Sequence, residues 1–273
     1  MSDNDSAAAH WRNPAIAPPI RGPIKLTRRD GVAAPAPPVL VVGGSGGAGV
    51  TTTVLGLCGA MAGAGQRPVA VDATGCGGDL ALRGADRQYA PATLQNWLEV
   101  ATIEGVYSPP ELALSQASSG AGILAASPDP LPRRTTLVTA ARLLAASGFV
   151  PVFDGGGSIR ARQLRPLLDE GLRLVLVIPA RLDAANRLRS TLAWLDDEYG
   201  ELAIAATTLV VSHQLPKAPA VGPGLKEHLK GWVRDITEIG FDRHLAHGLS
   251  ITHAQLRPDT QATYAELLKG VWA

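Results

Sequence analysis

Four glycines at 44, 46, 47 and 49, followed by hydroxyls at Thr51 and Thr52, are the residues best placed to do chemistry in this chain. Gly44 to Thr51 reads GSGGAGVT, the spacing G-x-x-x-x-G-K-[ST] with Val50 where a lysine would stand. Glycines let successive backbone N–H groups point into one concavity, and a helix beginning there aims its partly positive N-terminus at the same spot. Phosphate oxygens can then be held without side chains by Gly44, Ser45, Gly46, Gly47, Ala48, Gly49, Val50, Thr51 and Thr52. Thr51 and Thr52 stand where a hydroxyl reaches Mg²⁺ or a phosphate. A lysine at position 50 would neutralise charge that grows during phosphoryl transfer. Losing one such stabiliser typically costs on the order of 10²–10³ in rate. Backbone binding survives that loss; fast hydrolysis does not. The alternative is a tight glycine-rich turn that binds nothing.

Such a loop needs a buried strand before it and a helix after it. Val39–Val42 supplies the strand, and 52–63 reads as the helix, ending at the Gly63–Gly65 breaker. Beyond it, apolar runs at 68–73, 122–126, 149–154, 172–178, 207–212 and 236–241 alternate with helical stretches at 92–101, 134–146, 160–168, 184–196, 225–233 and 260–271. That alternation predicts an α/β fold: a doubly wound, mostly parallel sheet covered by helices on both faces. Ligands of such sheets bind beyond the carboxyl ends of the strands. Gly44–Thr52, Asp72–Gly78, Asp154–Gly157, Ser212–His213 and Asp242–His244 all fall at such ends, so five segments are expected on one rim.

The chain divides into a proline-rich arm, 1–38, and a folded domain, 39–273. The arm holds seven prolines from Pro14 to Pro38 and a short basic cluster, Arg21, Lys25, Arg28 and Arg29, and reads as a flexible or polyproline-type linker. A length of 273 residues suits one large α/β domain with a tail. The net charge of +1 gives no reason for bulk attraction to nucleic acid or an anionic membrane. Two cysteines, Cys58 and Cys76, make neither a disulfide framework nor a C-x-x-C pair, and the N-terminus lacks the basic start and apolar centre of a signal peptide. A cytoplasmic location is expected.

Asp242, His244, His247 and His253 lack a cysteine or glutamate to complete a tetrahedral set and read as ordinary loop residues. Arginines at 160, 162, 165, 173, 181, 187 and 189 are offset by nearby acids and read as a mixed solvated surface. The last helix ends apolar but carries a single lysine, so it is expected to pack on the body rather than anchor to a membrane.

Over roughly residues 38–272 the chain resembles the MinD/ParA family of P-loop ATPases. The resemblance rests on GGSGGAGVTTT at 43–53, AVDATGCGGDLALR at 70–83, FVPVFDGGG at 149–157 and EIGFDRHLAHG with LRPDTQATYAELL at 238–268. It implies ATP or ADP with Mg²⁺ as ligands, and a face-to-face dimer whose assembly controls contact with membrane, DNA or protein partners. Matched to the family loop K-G-G-x-G-K-[ST]-T, Ser45 replaces the lysine that reaches the other subunit and Val50 replaces the ordinary loop lysine. Asp72 retains the first acid of the family's D-x-D, whereas Thr74 replaces the second, which positions the attacking water. Asp154 matches the Walker B aspartate and would hold Mg²⁺ with Thr51; Ser212 replaces the adenine-side asparagine. The resemblance therefore implies a degenerate, non-hydrolysing switch or scaffold, a homodimer or a heterodimer with a related ATPase, acting in a secretion, positioning or partition assembly. Its composition and C-terminal segment resemble MinD-like proteins near type VII secretion systems. Two other readings stay open: an active Mg-ATPase using Asp72 and Asp154, and a DNA-binding partition protein.

Overall fold

In the computed structural model, residues 36–103 and 108–273 are described. Most of the proline-rich arm, including its basic cluster, lies outside them.

Eight strands form one sheet: β1 Val39–Gly43, β2 Pro68–Asp72, β3 Ser115–Gln116, β4 Gly122–Leu124, β5 Val150–Asp154, β6 Arg173–Pro179, β7 Thr208–Ser212 and β8 Asp235–Ile239. Their order is β3-β4-β2-β5-β1-β6-β7-β8, parallel throughout except at the β3–β4 edge. Among the described residues ten helices accompany them: α1 Val50–Gly63, α2 Leu80–Gly84, α3 Leu94–Ala101, α4 Thr136–Ala146, α5 Arg165–Asp169, α6 Leu182–Tyr199, α7 Glu201–Ala205, α8 Val221–His228, α9 Arg243–Ala246 and α10 Pro258–Trp272.

The unbroken apolar run of β1 has a direct cause. A strand covered on both faces has no solvent side, so both alternating sets of side chains must be apolar. Leu40 and Val42 join the core beneath α3–α6, with Phe153 and Leu176, while Val39 and Val41 join the opposite core beneath α1 and α10, with Val152 and Val177. The sheet is thus doubly wound, and β1 lies at its centre between β5 and β6.

α1 and α10 approach unusually closely because Gly56 has no side chain. A Cβ there would lie 2.2 Å from the Tyr264 ring, which is 2 % exposed. The Tyr264 hydroxyl donates to the Thr52 carbonyl, 3.3 Å away. Tyr264, Leu267, Leu268 and Val271 of α10 are all buried, so the apolar face of the last helix belongs to the core. Among the described residues no helix is long and apolar enough to cross a membrane.

Several boundaries differ from those expected. The helix expected over 160–168 is a 3₁₀ turn, Arg162–Leu164, followed by α5. Pro166 explains the break, since proline suits the first turn of a helix and disrupts its interior. The helix expected over 225–233 runs over 221–228: Gly222 tucks under Glu238, whose carboxyl carbon lies 1.9 Å from where a Cβ would stand. Helices α2, α7 and α9 and the antiparallel edge strand β3 were not anticipated from the sequence; each is five residues or fewer and too short to show a hydrophobic period.

Candidate functional site

The loop between β1 and α1 is clamped from both neighbouring strands. Gly43 N–H donates to the Gly156 carbonyl at 2.7 Å, and Gly44 N–H to the Val177 carbonyl at 2.9 Å. The contact on the β5 side needs glycine: a Cβ on Gly157 would lie 2.8 Å from Gly46 N. The chain then enters α1 through Gly49, at φ 94°, a left-handed conformation that favours glycine. At the opening of α1 the N–H groups of Val50, Thr51 and Thr52 find no acceptor among the described residues. They point as a group toward one cleft, which is the arrangement that holds an anion.

The cleft has a volume of about 510 Å³ and is lined by Ser45, Gly47–Thr52, Asp79, Arg83, Gly156, Gly157, Ser212–Gln214 and the segment from Ile239 to Gly248. Four of the five expected rim segments therefore contribute to one cavity. The fifth, Asp72–Gly78, does not line it.

Thr51 Oγ1 donates to Asp154 Oδ2 at 2.6 Å, and Asp79 Oδ1 lies 3.4 Å from the same hydroxyl. Asp154 Oδ1 accepts from Gly156 N–H at 3.0 Å. Burial pushes the Asp154 carboxyl up to about 6, against the opposing pull of the Thr51 and Gly156 hydrogen bonds and with added repulsion from Asp72 and Asp79. A hydroxyl and a buried carboxylate side by side form an all-oxygen donor pair suited to Mg²⁺, with room left for water and phosphate oxygens.

The other candidate residues are placed differently. Asp72 is 1 % exposed and accepts three hydrogen bonds: Thr74 N–H at 2.9 Å, the Thr74 hydroxyl at 2.6 Å and Gly78 N–H at 2.6 Å. Its oxygens hold the 72–78 turn, and Thr74 spends its hydroxyl on that turn. Val50 is buried in the α1-side core and contributes only its N–H. Ser212 presses on the loop, its Oγ 2.9 Å from where a Cβ on Gly49 would be. Gln214, from the same segment, donates to the Gly47 carbonyl. Asp242 caps α9 through His244 N–H and holds Arg257 N–H, both at 2.9 Å, while His244 Nε2 accepts from Thr252 N–H at 3.0 Å. No cluster of metal-binding side chains occurs among the described residues.

Asp79, Arg83 and Gln214 were missed from the sequence. The GGDLALR stretch contained the signal for the first two: Asp79 and Arg83 are four apart, so the single turn of α2 puts both on one face.

No protein-family model matches the chain, and no curated protein matches it. Solved structures do. A ParA-family ATPase from Chlorobium tepidum superposes with a TM-score of 0.60 at 16% identity, over 86% of this chain and 91% of that one. The cell-division ATPase MinD of Pyrococcus furiosus gives 0.62 at 17%, over 86% and 98%. A McdA variant from Cyanothece, solved as an ATP complex, gives 0.59 at 15%, over 86% and 96%. At these identities the likeness speaks for the fold: this chain is an α/β domain with the architecture of the ParA/MinD-type P-loop ATPases.

Proposed function

We propose that this protein is a nucleotide-binding switch or scaffold that holds Mg²⁺ and a nucleoside di- or triphosphate without turning it over rapidly. The Thr51–Asp154 pair, 2.6 Å apart at the open N-terminus of α1, carries the reading. The residues present fit both groups. The cavity of about 510 Å³ lies within the usual range for small-ligand sites. The first-turn N–H groups and the loop backbone would take the phosphates, Thr51 and Asp154 the metal, and the Ile239–Gly248 segment the base. Bound Mg²⁺ would neutralise phosphate charge.

Slow turnover follows from three side chains. Val50 is turned into the core, Ser45 carries no charge, and Thr74 is bound to Asp72, so neither lysine of the family loop nor the second carboxylate has a replacement at its own position. The ATP in the McdA complex supports nucleotide as the ligand class. The resemblance to the MinD/ParA family implies a face-to-face dimer, and that arrangement, as a homodimer or with a related ATPase, suits a component of a secretion, positioning or partition assembly.

A working Mg-ATPase is the second reading. Asp79 favours it, because a carboxylate 3.4 Å from the Thr51 hydroxyl lies near the reaction centre. A DNA-binding partition protein is the third reading, and it predicts a DNA affinity that falls steeply as salt rises.

The discriminating experiment is calorimetry with MgATP and MgADP beside steady-state phosphate release. Micromolar binding with no turnover above background is expected, with Val50→Lys tightening binding. Robust release by the natural chain, abolished by Asp154→Ala, would replace this reading with the ATPase; no binding by the natural chain would remove it.

A further inference from the structure

The cleft lacks both expected lysines, yet it contains a strong cation. Arg83 is the one lysine or arginine among the residues that line it. Its Nη2 lies 3.4 Å from Thr52 Oγ1, in the first turn of α1, and its Nε is buried without a partner. No carboxylate stands within ion-pair distance of it among the described residues.

This position is built into the fold. α2 is a single turn, too short to stay put by itself, and its neighbours hold it at three places. Leu80 and Ala81 are buried in the α1-side core. Gly84 allows close approach, with Leu55 Cδ2 of α1 and Ile123 Cδ1 of β4 at 2.5 and 2.6 Å from where its Cβ would be. The Arg83 carbonyl accepts from Ile251 N–H at 2.6 Å, while Arg83 N–H closes the turn of α2 itself on the Asp79 carbonyl at 2.8 Å. The backbone of Arg83 is thus fixed, and its side chain reaches the first turn of α1 at Thr52.

A half-buried guanidinium with an unpartnered N–H is costly unless an anion arrives to use it. The adjoining N–H groups of Val50, Thr51 and Thr52 await an acceptor in the same cleft. Their common need is a multiply charged oxyanion, and a planar guanidinium offers two parallel donors to phosphate where an ammonium offers a point charge.

We propose that Arg83 is the phosphate-binding cation of this site, taking over from α2 the charge that position 50 no longer supplies. The inference rests on the nucleotide reading above and deepens it: the ligand is a nucleoside diphosphate or triphosphate clasped between the α1 N-terminus and the α2 arginine. Arg83 stands beside the first turn of α1, so it serves binding of both ligands.

The test uses the full chain, titrated by calorimetry with MgADP and with MgATP at two salt concentrations, alongside the thermal midpoint without ligand. Arg83→Ala is expected to weaken both ligands by roughly 10- to 100-fold, the loss of one charge-assisted pair. It should flatten the salt dependence and leave the ligand-free midpoint unchanged or raised, since an unpartnered buried N–H goes with it. Arg83→Lys should recover part of the affinity, and Val50→Lys added to Arg83→Ala should recover more. If Arg83→Ala destabilises the fold, Arg83→Gln, which keeps most of the stem, replaces it with the same expectations. Nucleotide binding by Arg83→Ala or Arg83→Gln that equals the natural chain, with equal salt dependence, overturns the role of Arg83 and leaves the nucleotide reading standing. Absence of binding in the natural chain overturns both.

Discussion

Asp72 and Asp154 end neighbouring strands, pair with each other in register across β2 and β5, and are almost equally hidden, at 1 % and 2 % exposure. Their chemistry is opposite. Asp72 accepts two N–H groups and a hydroxyl, and its charge is consumed in holding the 72–78 turn. Asp154 accepts one N–H and one hydroxyl, faces the loop, and has its carboxyl pushed up to about 6, by burial first. Burial alone does not make a carboxylate reactive or inert. The number of lone pairs left over decides: of roughly four acceptor sites on a carboxylate, Asp72 has filled three and Asp154 two, and the less supplied one gains more when a cation arrives.

Three substitutions probe the contrast, the largest expected effect first. Asp72→Ala leaves Thr74 and Gly78 N–H without their acceptor and should cost about 3–5 kcal/mol, a fall in Tm of roughly 10 °C. A variant as stable as the natural chain would show that the turn does not need its carboxylate.

Asp154→Asn should act in the other direction. An acid whose pKa is higher in the folded state keeps its proton longer there, so its ionisation favours unfolding. The natural chain should therefore lose stability as pH rises from about 4 to about 6 and level off above that. Asparagine abolishes this loss: its oxygen can still take Gly156 N–H, and its amide can donate to Thr51 Oγ1, whose proton then turns to Asp79. In chemical denaturation without ligand the variant should match the natural chain near pH 4 and exceed it by roughly 2–3 kcal/mol at pH 8. A difference that does not change with pH would mean that Asp154 is ionised without penalty.

Thr74→Val should have the smallest effect. It removes one of the three donors to Asp72 and should cost about 1 kcal/mol in the same measurement, leaving the pH dependence assigned to Asp154 in place. A shift in that pH dependence would mean that the two aspartates are coupled through Thr74.

Much of this architecture is written locally. The run Val39–Val42 is apolar at every position because both faces of β1 are covered, and the glycines after it mark the turn. Asp154 followed by three glycines marked the end of β5 and its approach to the loop. Those signals depend on residues a few positions apart, so they survive in one dimension. The roles of the two aspartates do not. Each ends an apolar strand, and how many lone pairs it keeps free depends on how the chain beyond it folds back to donate.

By itself, then, the sequence determined the strand–loop–helix unit, the alternation that makes a doubly wound sheet and the absence of the usual lysines, because periodicity and glycine content are properties of neighbouring residues. Only the tertiary structure decided that Val50 turns inward, that Asp72 is spent on its own turn and that Arg83 reaches Thr52 across 31 positions of chain. α2 has no period long enough to read, and it gains its place from Leu55, Ile123 and Ile251, residues that are distant along the chain and adjacent only once it has folded.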